Sequence, residues 1–210
     1  MKREWEDWLG RVGGDGAEGA EIRSRTRYLR LGAAPVDPSI PEVVWLGHAS
    51  FRVRWRGLTL LFDPVFAKRI GFARRLAPSP PLSVLQRPDA IVVSHAHMDH
   101  LHLATLAALD GDRLMLPRKT ERLLGRERAK RDGLILVSPG DRAQLGKLGI
   151  SVFKAEHGGW RYPWQRGYVA CSFALSDGFK RLVWCGDTAF DARLFAAMAA
   201  DGPVDLALLP

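Results

Sequence analysis

IVVSHAHMDHLH, residues 91–102, places four of the chain's six histidines and one aspartate directly behind a run of strand-forming residues. Ile91-Val92-Val93 reads as a buried strand. His95 and His97 are two apart on chain leaving that strand, so their side chains project toward the same side. Asp99 and His100 follow where the backbone turns toward a helix, and aim a second pair at an adjacent point. Neutral imidazole suits zinc, and a carboxylate adds charge and an oxygen that can orient hydroxide. A lone histidine would carry no such reading. H-x-H-x-D-H behind an apolar strand does, and it predicts a metal site with room for two neighbouring ions.

Outward from this stretch the pattern is strongly β. Residues 42–47, 51–56 and 58–63 read as three consecutive strands, with Phe51, Val53 and Trp55 facing a core and Arg52, Arg54 and Arg56 facing water. Residues 64–88 form a long basic, Pro-containing loop that includes Lys68, Arg69, Arg74 and Arg75, which either line a binding rim or are simply solvated. Strand 89–94 precedes the histidines and a helix near 102–110 follows them. Then come strand 113–117, a charged helix near 118–130, strand 134–138 and a hairpin around Leu148-Gly149 leading to His157. Asp177-Gly178 favours a two-residue hairpin turn that pairs Ser176 with Phe179. That register sets Cys171 opposite Trp184 and puts Cys171 and Cys185 on different faces, as reduced core thiols. Asp187 follows Cys185-Gly186 at a strand end. Helix 190–200 and a last apolar run, 204–209, complete the pattern. Strands in consecutive groups with helices between them predict an α+β protein, two sheets face to face with helices outside.

The 210 residues fit one domain of ordinary size. We expect residues 1–41 to be an N-terminal extension and linker, with Trp5, Trp8, Leu9 and Val12 at helical spacing, and residues 42–210 to be the functional domain. No stretch reaches the ~20 apolar residues of a membrane helix, and the N-terminus has no apolar signal core, so a cytoplasmic location is expected. The net charge of +8 comes from 24 arginines and 7 lysines against 23 acidic residues. Scattered arginine suits a small-molecule or lipid-like anionic substrate and allows peripheral membrane contact. There is no basic stripe with interleaved aromatics, which argues against nucleic acid.

The segments VVWLGHASFRV, LLFDPVF and SHAHMDHL, with EHGGWR and CGDTAF more loosely, resemble the metallo-β-lactamase fold superfamily. Within it they are similar to the branch containing N-acyl-phosphatidylethanolamine phospholipase D and ascorbate-6-phosphate lactonase. The resemblance covers roughly residues 42–210. It implies a four-layer αββα sandwich with metals at the sheet edges. By position, His95, His97 and His157 would bind the first ion and Asp99 and His100 the second, with Asp187 bridging. Two zinc ions are implied, with Mn2+ as an alternative. Family members continue past the strand matching VDLALLP to a final histidine ligand, whereas no histidine follows His157 here. A domain lacking its last C-terminal elements is therefore expected, with a weakened second site.

The implied chemistry is hydrolysis by a metal-bridging hydroxide, with Asp99 orienting it. Asp63, after the strand LTLLF, is a candidate to fix ligand geometry, or caps the turn before Pro64. His48 either faces the site or is a turn histidine. Trp160 and Arg161 would lie at the mouth, Arg161 gripping a phosphate. His102 reads as a helix-start residue. Phosphodiester cleavage of the phospholipase D type leads, ahead of lactone or other ester cleavage, a nuclease, and a truncated non-catalytic metal-binding protein.

Overall fold

The computed structural model describes residues 39–210 except 71, 81–84, 86, 110, 126–131, 159–160, 163 and 165–166. The expected helix over residues 1–12, part of the charged helix, and Trp160 lie outside the described residues.

Thirteen strands are described, and eleven of them build two sheets. β1 (Glu42–Gly47), β2 (Ser50–Trp55) and β3 (Leu58–Phe62) form an antiparallel meander. β6 (Ala90–Val92), β7 (Leu114–Pro117) and β8 (Leu134–Val137) then add in parallel, giving the order β1-β2-β3-β6-β7-β8. The second sheet runs β13-β12-β11-β10-β9. Its members are β9 (Arg142–Leu145), β10 (Leu148–Gly158), β11 (Val169–Ser176), β12 (Arg181–Trp184) and β13 (Leu206–Leu208), of which only β13 pairs in parallel. β4 (Arg69–Ile70) and β5 (Ala73–Arg74) make a separate small ribbon in the long basic loop.

The inner faces share one core. Val53, Trp55, Leu60 and Phe62 come from the first sheet, and Ile150, Val152, Phe173 and Trp184 from the second. Phe62 meets Trp184 edge-on at 4.7 Å, the geometry that ring quadrupoles favour. Outside the first sheet, Leu106 and Leu109 at and just past α1 (Leu103–Ala108) pack on Leu61, Ile91 and Leu114. Outside the second, Leu194 and Met198 of α2 (Ala192–Ala200) pack on Ala174, Val183 and Cys185. Their i, i+4 spacing gives α2 its single apolar stripe, each side chain contributing about 1.5–3 kcal/mol by burial. Asp191 caps α2 by accepting from Arg193 N. Among the described residues, no helix is long and apolar enough to cross a membrane.

Four local expectations need correction. Arg52 is buried rather than in water, and Glu42 at 2.8 Å supplies a counter-charge. The turn before β10 lies at Gly146-Lys147, because Leu145 pairs with Leu148. The segment after β7 begins as a short 3-10 helix, Thr120–Leu123. The Asp177 hairpin closes with four loop residues, so Ser176 pairs with Arg181 and Phe173 with Trp184. Asp177 Oδ1 accepts from both Phe179 N and Lys180 N, a side-chain turn that stabilises the longer loop. The register moves by two residues rather than one, so facing is preserved. Cys171 lies in the inter-sheet core and Cys185 beneath α2, both unpaired as thiols.

Candidate metal centre

The site forms where several strands end together. Asp63 follows β3 and Ser94-His95 follow β6, neighbouring parallel strands whose carboxyl ends open on the same side. From the other sheet, His157 comes near the end of β10, and Asp187 follows β12. The β10–β11 register shifts between Lys154 and Gly158, a bulge that re-aims His157. Two bonds tie the β12 exit to β10: Glu156 N to Thr188 Oγ1 (3.0 Å) and Ala189 N to Glu156 O (2.9 Å). Gly186 has φ +57, and a Cβ there would sit 2.8 Å from Ser94 Cβ, so only glycine lets the two sheets close at this point.

One ligand atom from each of His95, His97 and His157 falls within 4.8 Å of the others. His97 Nδ1 and His157 Nε2 are 3.2 Å apart. Beside them, Asp187 Oδ2 lies 3.2 Å from His100 Nε2 and 3.9 Å from His157 Nε2, between the two halves of the cluster. Asp99 Oδ2 is 3.9 Å from His100 Nε2 and 3.1 Å from His48 Nε2. The structure thus brings together all six residues expected to hold metal, and His48 with them.

The support beneath them is a buried network on Asp63, whose side chain is fully enclosed. Its carboxylate accepts from Ser94 N (2.8 Å), Ser94 Oγ (2.5 Å) and His100 Nδ1 (2.5 Å). Ser94 has one hydroxyl proton, donated to Asp63, so at 2.8 Å it accepts from His95 Nδ1. Both rings are thereby locked with Nδ1–H outward and Nε2 facing the cluster, where that of His100 lies 3.2 Å from Asp187 Oδ2. His95 Nε2 and His100 Nε2 are buried and have no hydrogen-bond partner. Two orphaned imidazole nitrogens, each ring backed by an acceptor on its far side, match the chemistry of a metal ligand set.

Electrostatics agrees for three members. Burial, then the neighbouring His100, His97 and His157, push His95 down to about 2, so it is neutral and able to donate a lone pair. The His48 contact holds Asp99 below the usual carboxylate range, and the His100 contact does the same for Asp187. His100 differs. Burial opposes its charge, but Asp63 and Asp187 together raise it to about 10, so in the metal-free chain it holds a proton that an ion must displace.

Other expected residues take identifiable places. His102 caps α1, its Nδ1 accepting from Thr105 N at 3.1 Å. Arg161 is directed at the loop itself: Nη1 donates to Leu101 O (2.8 Å) and Ala96 O (3.4 Å), clamping the segment that carries the ligands. Arg75 is half-buried and bonds Val65 O, Leu46 O and Pro78 O, while Lys68, Arg69 and Arg74 are exposed. Ser94 was not expected to matter. Its only signal in the sequence is a small hydroxyl immediately before His95, where the strand ends.

The profile of the beta-lactamase superfamily domain matches residues 59–210, and this chain belongs to that family. A UPF0173 metal-dependent hydrolase of Carboxydothermus hydrogenoformans is 31% identical over 179 residues, 80% of this chain and 71% of that one. An uncharacterized protein of Mycobacterium tuberculosis is 30% identical over 184 residues, 83% of this chain and 49% of that protein. The N-acyl-phosphatidylethanolamine-hydrolyzing phospholipase D 1 of Caenorhabditis elegans is 28% identical over 190 residues, 79% and 52% of the two chains. This chain spans about half the length of the mycobacterial relative. Among solved structures, the diiron β-hydroxylase CmlA of Streptomyces venezuelae superposes with a TM-score of 0.63 at 21% identity, over 99% of this chain and 40% of that one. That likeness speaks to the fold.

Proposed function

We propose that this chain is a metal-dependent hydrolase acting on an anionic ester, with a phosphodiester of lipid-like character as the leading substrate. His95, His97 and His157 would hold one divalent ion, Asp99 and His100 a second, and Asp187 both. The observation that carries the reading is the pair of buried Nε2 atoms of His95 and His100 that have no hydrogen-bond partner and face the cluster, that of His100 3.2 Å from Asp187 Oδ2. An imidazole-rich set with carboxylate oxygens suits zinc, with manganese as the alternative. Bound ions would supply Lewis acidity and make water nucleophilic near neutral pH. The chain's own residues do the rest. Asp99, anionic and partly exposed, orients the attacking water. Asp63 and Ser94 set the ring orientations, and Arg161 keeps the ligand loop from spreading. With α1 and α2 on the outer faces, we read the whole as the αββα plan. The two free thiols fit a reducing, cytoplasmic setting.

The lipid-like choice has its own support. The β4–β5 ribbon presents Phe72 and Leu76, both exposed, beside Lys68, Arg69 and Arg74. An apolar tip with cationic flanks suits an anionic lipid surface. Arg75 ties this ribbon to Leu46 O, two residues before His48, so the tip is tethered close to the site.

The deciding experiment is hydrolysis of bis(p-nitrophenyl) phosphate and of simple lactones by chelated protein, with zinc or manganese added back. Metal-dependent phosphodiester cleavage is expected. Lactone cleavage alone would move the substrate class. No metal-dependent hydrolysis by folded protein would leave a non-catalytic metal-binding chain, and binding of nucleic acid that falls steeply with salt would favour a nuclease.

A further inference from the structure

We infer that His48 is a ligand of the second metal position, completing a set of His48, Asp99, His100 and Asp187. The inference rests on the metal-centre reading above, and assigns the second ion a protein nitrogen that the sequence pattern did not supply. The four donor atoms form a chain of short separations. His48 Nε2 lies 3.1 Å from Asp99 Oδ2, which is 3.9 Å from His100 Nε2, itself 3.2 Å from Asp187 Oδ2. Ligand atoms around a tetrahedral zinc, with bonds near 2.0–2.1 Å, sit about 3.3–3.4 Å from one another. The three observed separations bracket that value. The His48 and His100 rings meet edge-on, with centroids 5.4 Å apart and planes inclined by 62°. One of the four donors, His100 Nε2, is completely buried and has no hydrogen-bond partner.

The backbone holds His48 where it would otherwise not sit. Its φ is +53, a left-handed conformation that disfavours a residue bearing a Cβ. Trp45 Nε1 donates to His48 O at 2.6 Å and fixes the peptide. Gly47, at φ +100, has Arg75 Nη2 2.5 Å from where a Cβ would stand, so the guanidinium that grips Leu46 O also fills the space beside the turn. A half-exposed histidine has many unstrained alternatives. Held instead in a strained turn against a carboxylate, it fits a ligand better than a surface ornament.

The competing role is positioning: His48 would only hydrogen-bond Asp99 and leave the ion alone. Equilibrium zinc titration of the metal-stripped full chain separates the two, with His48→Ala and His48→Gln compared with wild type. We expect two equivalents for wild type. Both variants should keep the first equivalent and lose at least about 100-fold in affinity for the second. Glutamine can still bond Asp99 but is a poor zinc ligand, so wild-type second-site affinity in His48→Gln would overturn the inference. Unchanged binding in His48→Ala would do the same. A wild-type chain that binds no zinc at all would sink the metal centre itself, a different failure. Nitrogen NMR of histidine-labelled wild type is independent of whether the variants fold. The His48 Nε2 resonance must move to a metal-bound position with the second equivalent, and its failure to move while the second ion binds would overturn the assignment.

Discussion

Arg181 and His100 are both buried, 5% and 0% exposed, and both are surrounded by oxygen acceptors, yet the two regions differ in one respect. Around Arg181, donors meet acceptors. Nη1 donates to Met198 O (2.5 Å) and Gly202 O (2.7 Å), where α2 ends, and Nη2 to Asp201 (3.2 Å). Asp201 in turn accepts from Ser151 Oγ and Arg142. Around His100, the same care is spent on one side of each ring only. Asp63 and Ser94 satisfy the Nδ1 atoms, and the Nε2 atoms of His95 and His100 face the cluster with no hydrogen-bond partner. The strained non-glycine turns at His48 and Asp63 also belong to this second region. A completed network stabilises; one completed on the outside and unmet on the inside has bonding capacity in reserve for a ligand.

Replacing Asp63 is the most damaging way to test this. Asp63→Ala removes the acceptor of Ser94 N, Ser94 Oγ and His100 Nδ1 at once, inside a fully buried network. Unfolding in urea should show a loss of about 3–5 kcal/mol, and zinc titration of the fraction that folds should show both positions weakened. A variant that loses less than 1 kcal/mol and binds zinc normally would reduce Asp63 to a turn cap.

Arg181→Met attacks the other region. It strips the carbonyls at the end of α2 and leaves Asp201 without its most enclosed partner, at a cost of about 2–3 kcal/mol in urea unfolding. Zinc affinity should not move, because no atom of that network touches the ligand cluster. A loss of metal binding comparable to that of Asp63→Ala would erase the distinction between the regions.

Gly186→Ala tests the junction where the two sheets meet the site. The substitution keeps a φ of +57 that alanine disfavours and puts a methyl 2.8 Å from Ser94 Cβ. We expect about 1–2 kcal/mol of destabilisation. Unlike Arg181→Met, it should weaken zinc binding, since Asp187 follows directly and Ser94 sets the His95 tautomer. A smaller stability loss than that of Arg181→Met, with metal binding weakened only in Gly186→Ala, is the result that sharpens the comparison.

What the sequence made legible follows from how local each signal is. His95, His97, Asp99 and His100 share one turn, so their spacing alone predicts their convergence. His157 and Asp187 came from the order of elements that the family resemblance supplied, because nothing local says where two distant strands end. The roles of Ser94 and Arg161 were hidden for the opposite reason: Ser94 accepts from His95 only because its one proton goes to Asp63, and Arg161, expected to grip a phosphate, donates instead to the carbonyls of Ala96 and Leu101, neither visible without coordinates. Arg52 looked solvent-facing by alternation, but burial depends on what packs over the sheet. The Asp177 turn was misjudged because Asp-Gly favours a two-residue loop in isolation, whereas Asp177 is also held by Arg56 Nε at 2.6 Å. That contact spans 121 positions and no turn rule contains it.

The smallest effect concerns the floor between the regions, where Cys171 N donates to Ser94 O at 2.9 Å. Burial pushes the Cys171 thiol up to about 12 from an ordinary value of 9.0. In the folded chain the thiol therefore keeps its proton where the unfolded chain releases it. Its contribution to stability is intact below pH 9 and declines as pH rises from 9 toward 12, since deprotonation favours the unfolded state. Measured against Cys171→Ala, whose stability carries no such term, wild type should lose less than about 1 kcal/mol between pH 8 and 9.5. Iodoacetamide should label the native thiol at pH 8 only as fast as the chain opens. Rapid labelling with retained zinc would mean that the sheet beneath Ser94 opens without disturbing the ligands, and that the network on Asp63 holds them without it.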